Sequence, residues 1–171
     1  MKLAKRSALA CALCVGALAM GLLAGCTTST TDSGSAEESA QELNRAYMSQ
    51  VNEIMDDLDE QLEAFVDAVS REDLVTMRTQ AEAAFDTLDA LDELEVPDGL
   101  ETIHENYVDG ADSLEEALNA YIDLYAEVSA DDAQESFDWD TYDERLAEVQ
   151  ELYDAGISAL QAADEAAAAM E

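Results

Sequence analysis

The sequence predicts an all-α protein, an antiparallel up-down four-helix bundle, and three observations carry that expectation. From Glu37 onward apolar residues recur at steps of three and four, the spacing of one helical face. The chain has a single proline, Pro97, and no alternating apolar and polar run long enough for a strand. Four striped segments joined mostly by short turns have the up-down bundle as their simplest packing. The domain expected over 37–171 has about 135 residues, enough for one core.

The first helix is read from Leu43, Tyr47, Val51, Ile54, Leu58, Leu62, Phe65 and Val69, which follow at steps of 4, 4, 3, 4, 4, 3 and 4. A 4-4-3 repeat is an eleven-residue period, which favours a nearly straight or slightly right-handed helix. Ser70-Arg71-Glu72-Asp73 resembles a capping box and predicts a tight reversal, with the second helix opening near Arg71. That helix is expected to run to about Glu95, with Leu74, Met77, Ala81, Phe85, Leu88 and Leu91 inward, and to stop before Pro97-Asp98-Gly99. The third carries Leu100, Ile103, Tyr107, Ala111, Leu114, Leu118, Tyr121, Tyr125 and Val128. The stripe keeps its phase across Asp109-Gly110, so the helix is expected to continue and accept a glycine cost of about 1 kcal/mol. Ser129 to Asp138 reads as the longest connection, with a loose helical turn. The fourth helix starts near Asp140 or Thr141, its stripe being Tyr142, Leu146, Val149, Tyr153, Ile157 and Leu160; Ala162 to Ala169 favours helix but offers little to bury. Merging the first two segments through Ser70 would give a three-helix arrangement. Its helix of about 60 residues would have no partner of its own length.

The first 25 residues differ from the rest. Lys2, Lys5 and Arg6 make a basic start, and Ser7 to Ala24 carries no charge, the pattern of an exported signal segment. A permanent membrane helix needs about 20 apolar residues and a stop-transfer flank, whereas this run passes through Gly25-Cys26 into threonines and serines. Leu23-Ala24-Gly25-Cys26 resembles the bacterial lipobox. The resemblance implies cleavage between Gly25 and Cys26, acylation of Cys26 as the first mature residue, and attachment to the extracytoplasmic face of the cell membrane. Residues 26–36, rich in Ser and Thr, then read as a flexible tether. Cys11 and Cys14 have redox-motif spacing but sit in the apolar leader without a strand or cap around them.

The formal charge is −34, and loss of the leader removes three basic residues and no acid, taking it to −37. Arg45, Arg71, Arg78 and Arg145 alone remain basic among 41 acids. Phosphate-backbone binding needs a basic patch, so nucleic acid is excluded as a partner class. Anionic headgroups repel such a chain as well. Membrane attachment therefore falls to the lipid, where one acyl chain holds marginally and two or more hold stably. The charge fits a basic protein or peptide partner, with weak divalent cation binding.

Glu101-Thr102-Ile103-His104 matches the Glu-x-x-His spacing by which bundles present metal ligands, but a dinuclear centre needs two such motifs and His104 is the single histidine. A one-metal or haem site around Glu101 and His104 is the alternative reading; a packing or capping role for His104 is the ordinary one. Asp138-Trp139-Asp140-Thr141-Tyr142-Asp143-Glu144 lacks the glycine and terminal glutamate of a calcium loop. Acids at a helix start answer the helix dipole, and Trp139 and Tyr142 are candidate partner-binding residues that also fit as cover for a core end. Tyr121 and Tyr125 read as core-edge aromatics. No nucleophile elbow, phosphate-cradling glycine loop or mature-chain cysteine nucleophile is present, and no cofactor is expected. Through Leu94-Glu95-Val96-Pro97, Ile103-His104 and Tyr107 the domain resembles the small helical-bundle lipoproteins of Gram-positive and actinobacterial envelopes, a resemblance that carries no activity with it. The expected function is non-enzymatic: a lipid-anchored extracytoplasmic protein acting by interaction with a basic partner, with the metal or haem carrier as its rival.

Overall fold

The computed structural model of the chain describes residues 35–170, with side chains from residue 39 onward. The leader, the expected cleavage point at Gly25, the lipidation site at Cys26 and the tether as far as residue 34 lie outside the described residues. Described are four long helices and one short one: α1 (Ser35–Ser70), α2 (Leu74–Asp92), α3 (Glu101–Ser129), α4 (Ala133–Ser136) and α5 (Tyr142–Ala168). There is no strand among the described residues. None of these helices is long and apolar enough to cross a membrane.

The α1 stripe is buried from Tyr47 to Val69, joined by Met55 and Ala68. Leu43, expected to open it, is instead 60% exposed. The reason is the level at which α1 meets α3: Tyr47 already faces His104, in the first turn of α3, so the preceding turns of α1 extend past the start of that helix.

The α1–α2 reversal differs from the capping-box expectation. Ser70 closes α1, its hydroxyl donating to the Asp67 carbonyl at 2.7 Å. The chain turns through Glu72 at φ 56°, with the Glu72 N–H bonded to Val69 O at 3.1 Å and the Asp73 N–H to Ala68 O at 3.0 Å. This left-handed closure satisfies the last carbonyls of α1 and leaves Asp73 as the residue preceding α2. Its carboxylate accepts from the Thr76 N–H at 3.1 Å and the Thr76 hydroxyl at 2.6 Å, a stronger cap than a distant serine offers.

Helix α2 buries Met77, Ala81, Ala84, Leu88 and Leu91, while Leu74 and Phe85 sit half-buried at the edge. It stops at Asp92, short of the expected Glu95, where the Leu94 N–H bonds to Leu91 O at 3.1 Å and tightens the end ahead of Pro97. Every residue of the α3 stripe is buried, and α3 runs unbroken through Gly110. A Cβ on Gly110 would lie 2.9 Å from the Leu160 side chain and 3.1 Å from the Gly156 carbonyl. One on Gly156 would lie 2.8 Å from Leu114 Cγ and 3.0 Å from the Gly110 carbonyl. The two glycines therefore let the α3 and α5 backbones approach, which offsets the loss of helix propensity.

The Ser129–Asp138 connection contains α4, as its composition suggested. In α5 Tyr142, Val149 and Leu160 are buried, and Leu146, Tyr153 and Ile157 are half-buried. The alanine-rich end departs from expectation, because Ala163 and Ala167 belong to the core; small side chains bury well where helices pack closely.

Helix α1 packs on α2, α2 on α3 and α3 on α5, and one core joins the four long helices. Phe65 and Tyr121 meet edge to face at 5.8 Å between α1 and α3. Between α3 and α5, Tyr107 meets Asp164, Gly110 meets Leu160, Leu114 meets Gly156 and Glu127 meets Arg145, in opposite sequence order. The start of α3 and the end of α5 thus share one end with Tyr47, the His104 end. The end of α3, α4 and the start of α5 make the other, the Trp139 end.

Candidate functional site

The most concentrated internal polar chemistry lies at the His104 end. The Tyr47 hydroxyl and His104 Nδ1 are 3.1 Å apart, the hydroxyl donating when Nδ1 carries no proton, and the rings meet edge-on at 6.1 Å. One turn further along α3 the Tyr107 hydroxyl donates to Asp164 Oδ1 at 2.6 Å. Burial pushes the Tyr47 hydroxyl up to about 12. It also pushes Tyr107 well above the usual phenol range, with the Asp164 hydrogen bond and charge adding to it and Tyr47 a lesser contributor. Both phenols stay protonated, and each links α3 to another helix: Tyr107 as a donor to Asp164, Tyr47 as donor or acceptor according to the tautomer of His104. Deprotonation by such groups at neutral pH is unsupported.

Glu101 and His104, the candidate metal ligands, are directed to different partners. A Glu101 carboxylate oxygen accepts from the Gly99 N–H at 2.8 Å, holding the turn in which Gly99 stands at φ 93°, while His104 reaches across to α1. Among the described residues no three His, Cys, Asp or Glu side chains come together in a group able to hold a metal ion.

At the Trp139 end the two candidate partner-binding aromatics join a cluster. The Trp139 indole N–H donates to the Ala133 carbonyl at 3.1 Å, its ring meets Phe137 at 5.0 Å edge to face and lies 6.1 Å from Tyr142. Tyr142 and Phe137 are buried and Trp139 is half-buried. The Arg145 guanidinium lies 5.7 Å from the Phe137 centroid and grips both Glu127 oxygens, at 2.7 and 2.9 Å. That fork holds the Glu127 carboxyl below its ordinary value and fastens α3 to α5. Trp139 therefore stitches the α3–α5 connection to the core while leaving part of its ring at the surface. Sequence reasoning missed Phe137, which stands alone in a polar connection outside any stripe, and the Glu127–Arg145 pair, whose members are 18 residues apart across that connection, a separation no periodicity reports.

A third feature is a crevice of about 10 Å³, the space of one water, between α2 and α3 beside Leu88 and Ala111. Asp89, Asp92, Asp112 and Glu115 line it. Burial, followed by the charges of Asp89, Asp112 and Asp92, raises the Glu115 carboxyl above its ordinary value. Comparison of the chain with protein-family models, with curated proteins and with solved structures finds no match.

Proposed function

We propose that the chain is a non-enzymatic lipoprotein, anchored through Cys26 to the extracytoplasmic face of the membrane, whose antiparallel four-helix bundle binds a basic protein or peptide. The observation that carries the reading is the distribution of charge. The chain holds 41 acids against seven Lys and Arg, and no charged side chain is among the fully buried residues described. Among the described residues the acids thus lie at exposed or half-buried positions, where their summed field accelerates encounter with cations and repels polyanions. The opposite order of contacts along α3 and α5, and the short α1–α2 turn, support the bundle arrangement. The polar pairs at the His104 end support a packing role there, since each member already has a partner.

Titration calorimetry with a lysine-rich peptide and a glutamate-rich peptide of equal length tests the reading. The account expects binding of the basic peptide alone, weakening as salt rises from 50 to 500 mM, over which the Debye length falls from about 14 to about 4 Å. Absence of binding to the basic peptide at low salt, or affinity indifferent to salt, would contradict it.

A further inference from the structure

The α1 helix is longer than the core it serves. Among its described side chains the first that is buried is Tyr47, and between residues 39 and 46 only Asn44 is even half-buried. Tyr47 meets His104 in the first turn of α3, and Tyr107 meets Asp164 one turn before α5 ends. Neither α3 nor α5 therefore accompanies the stretch from Ser35 to Ala46. At 1.5 Å per residue this overhang is roughly 18 Å long. It needs no separate nucleation, because it propagates from a packed helix.

We propose that this overhang is a stand-off: it holds the acidic bundle upright and away from the lipid surface, with the His104 end toward the membrane and the Trp139 end presented outward. The inference rests on the reading of Cys26 as the anchor. Cys26 lies nine positions before Ser35, so the overhang begins within about 30 Å of the bilayer even with the tether fully extended. The negative potential of anionic headgroups fades over a Debye length, about 8 Å at physiological salt. A helix of about 18 Å spans roughly two such lengths. An acidic bundle joined to its anchor by a short flexible chain alone would explore the repulsive zone in every orientation. With a stiff extension at one end, side-on and inverted orientations bring more acids into the repulsive zone than the upright one does, so repulsion favours the upright orientation. The exposed groups of the Trp139 end, among them Asp138, Asp140, Asp143 and Glu144, are then the ones a soluble basic partner meets first.

Energy transfer to acceptor-labelled headgroups in phosphatidylglycerol-containing vesicles tests this, using lipidated protein with a single dye at Gln41→Cys or Ser136→Cys. Transfer should be strong from position 41 and weak from 136, which lie roughly 40 Å apart along the bundle axis. Deleting residues 37–43, two helical turns, should bring position 136 about 10 Å closer to the lipid and leave the unfolding midpoint unchanged, since no core residue is lost. Replacing the same seven residues with Gly and Ser should reduce the contrast between the two dyes. Equal transfer from both positions, transfer from 136 unchanged by the deletion, or a contrast unaffected by the Gly and Ser replacement carrying its dye at position 41, overturns the stand-off. If mass spectrometry finds no acyl group on Cys26, the anchoring reading fails separately. In that case the chain beginning at Cys26 is coupled to maleimide lipid, and the same contrasts decide the stand-off.

Discussion

Tyr107 illustrates how much a single side chain fixes. Its ring is fully enclosed and its hydroxyl donates to a carboxylate on another helix at 2.6 Å, so position 107 sets both depth and register between α3 and α5. Tyr107→Phe keeps the ring and removes the donor; urea unfolding should show a loss of about 1–2 kcal/mol, the range for a hydrogen bond to a charged acceptor that retains some access to water. No loss would mean the pairing is incidental. Glu72 is the opposite case, a non-glycine residue at φ 56° in the turn closing α1. Left-handed backbone costs a side chain roughly 1–2 kcal/mol, part of which glycine returns as unfolded-state entropy, so Glu72→Gly should stabilise by up to about 1 kcal/mol in the same assay. A destabilised variant would show that the Glu72 side chain makes compensating interactions. Individual roles were the least legible layer of the sequence. His104 was visible as the single histidine, yet its partner lies 57 positions away, and local spacing carries no information about that distance.

Among the elements, α3 was the most legible, because a helix touching neighbours on several sides must keep its apolar phase without interruption. Its whole stripe is buried. Boundaries were less legible where two local signals competed. Ser70-Arg71-Glu72-Asp73 offers both a serine and an aspartate as caps, and the choice fell to Asp73 because the left-handed turn at Glu72 consumes the residues between. The alanine tail of α5 looked idle since its side chains are small, whereas smallness is what the close α3–α5 approach requires. The Gly110–Gly156 crossing makes this measurable. Gly156→Ala adds helix propensity worth about 1 kcal/mol, but the new Cβ meets the Gly110 carbonyl and the Leu114 backbone N at 3.0 Å, atoms that cannot rotate aside. Overpacking should win, with a net loss of about 1–2 kcal/mol in thermal or urea unfolding. A stabilised Gly156→Ala would mean that α3 and α5 separate without penalty.

For the whole molecule, charge sets the response to solvent. Repulsion among the acids opposes folding and is screened by salt, so the thermal midpoint followed by circular dichroism should rise from low to moderate NaCl, and rise again with millimolar calcium at constant ionic strength. The pH dependence has two opposed parts. Glu115 has its carboxyl raised above 4.5 in the fold, so the folded state takes up its proton more readily than the unfolded chain. Its contribution therefore improves as pH falls through the raised value, and levels off below about 4.5. Asp73, lowered by its hydrogen bonds from Thr76, and Glu127, lowered by Arg145, contribute stability above their ordinary values that is lost as pH falls through their depressed ones. The midpoint should pass through a maximum in mild acid, and Glu115→Gln should raise the neutral-pH midpoint while flattening that rise. A profile declining steadily from pH 7 would show that the lowered carboxylates dominate throughout. The all-helical character was legible because periodicity and composition act over the whole chain; a partner was not, because a solvated acidic surface specifies the sign of what it attracts and little of its shape. The proposed function depends above all on the anchor. Intact-mass analysis of the protein recovered from bacterial membranes tests it most directly: the account predicts a chain beginning at acylated Cys26, with Cys26→Ala left unprocessed or released, and a Cys26→Ala protein cleaved and retained like the parent would contradict it.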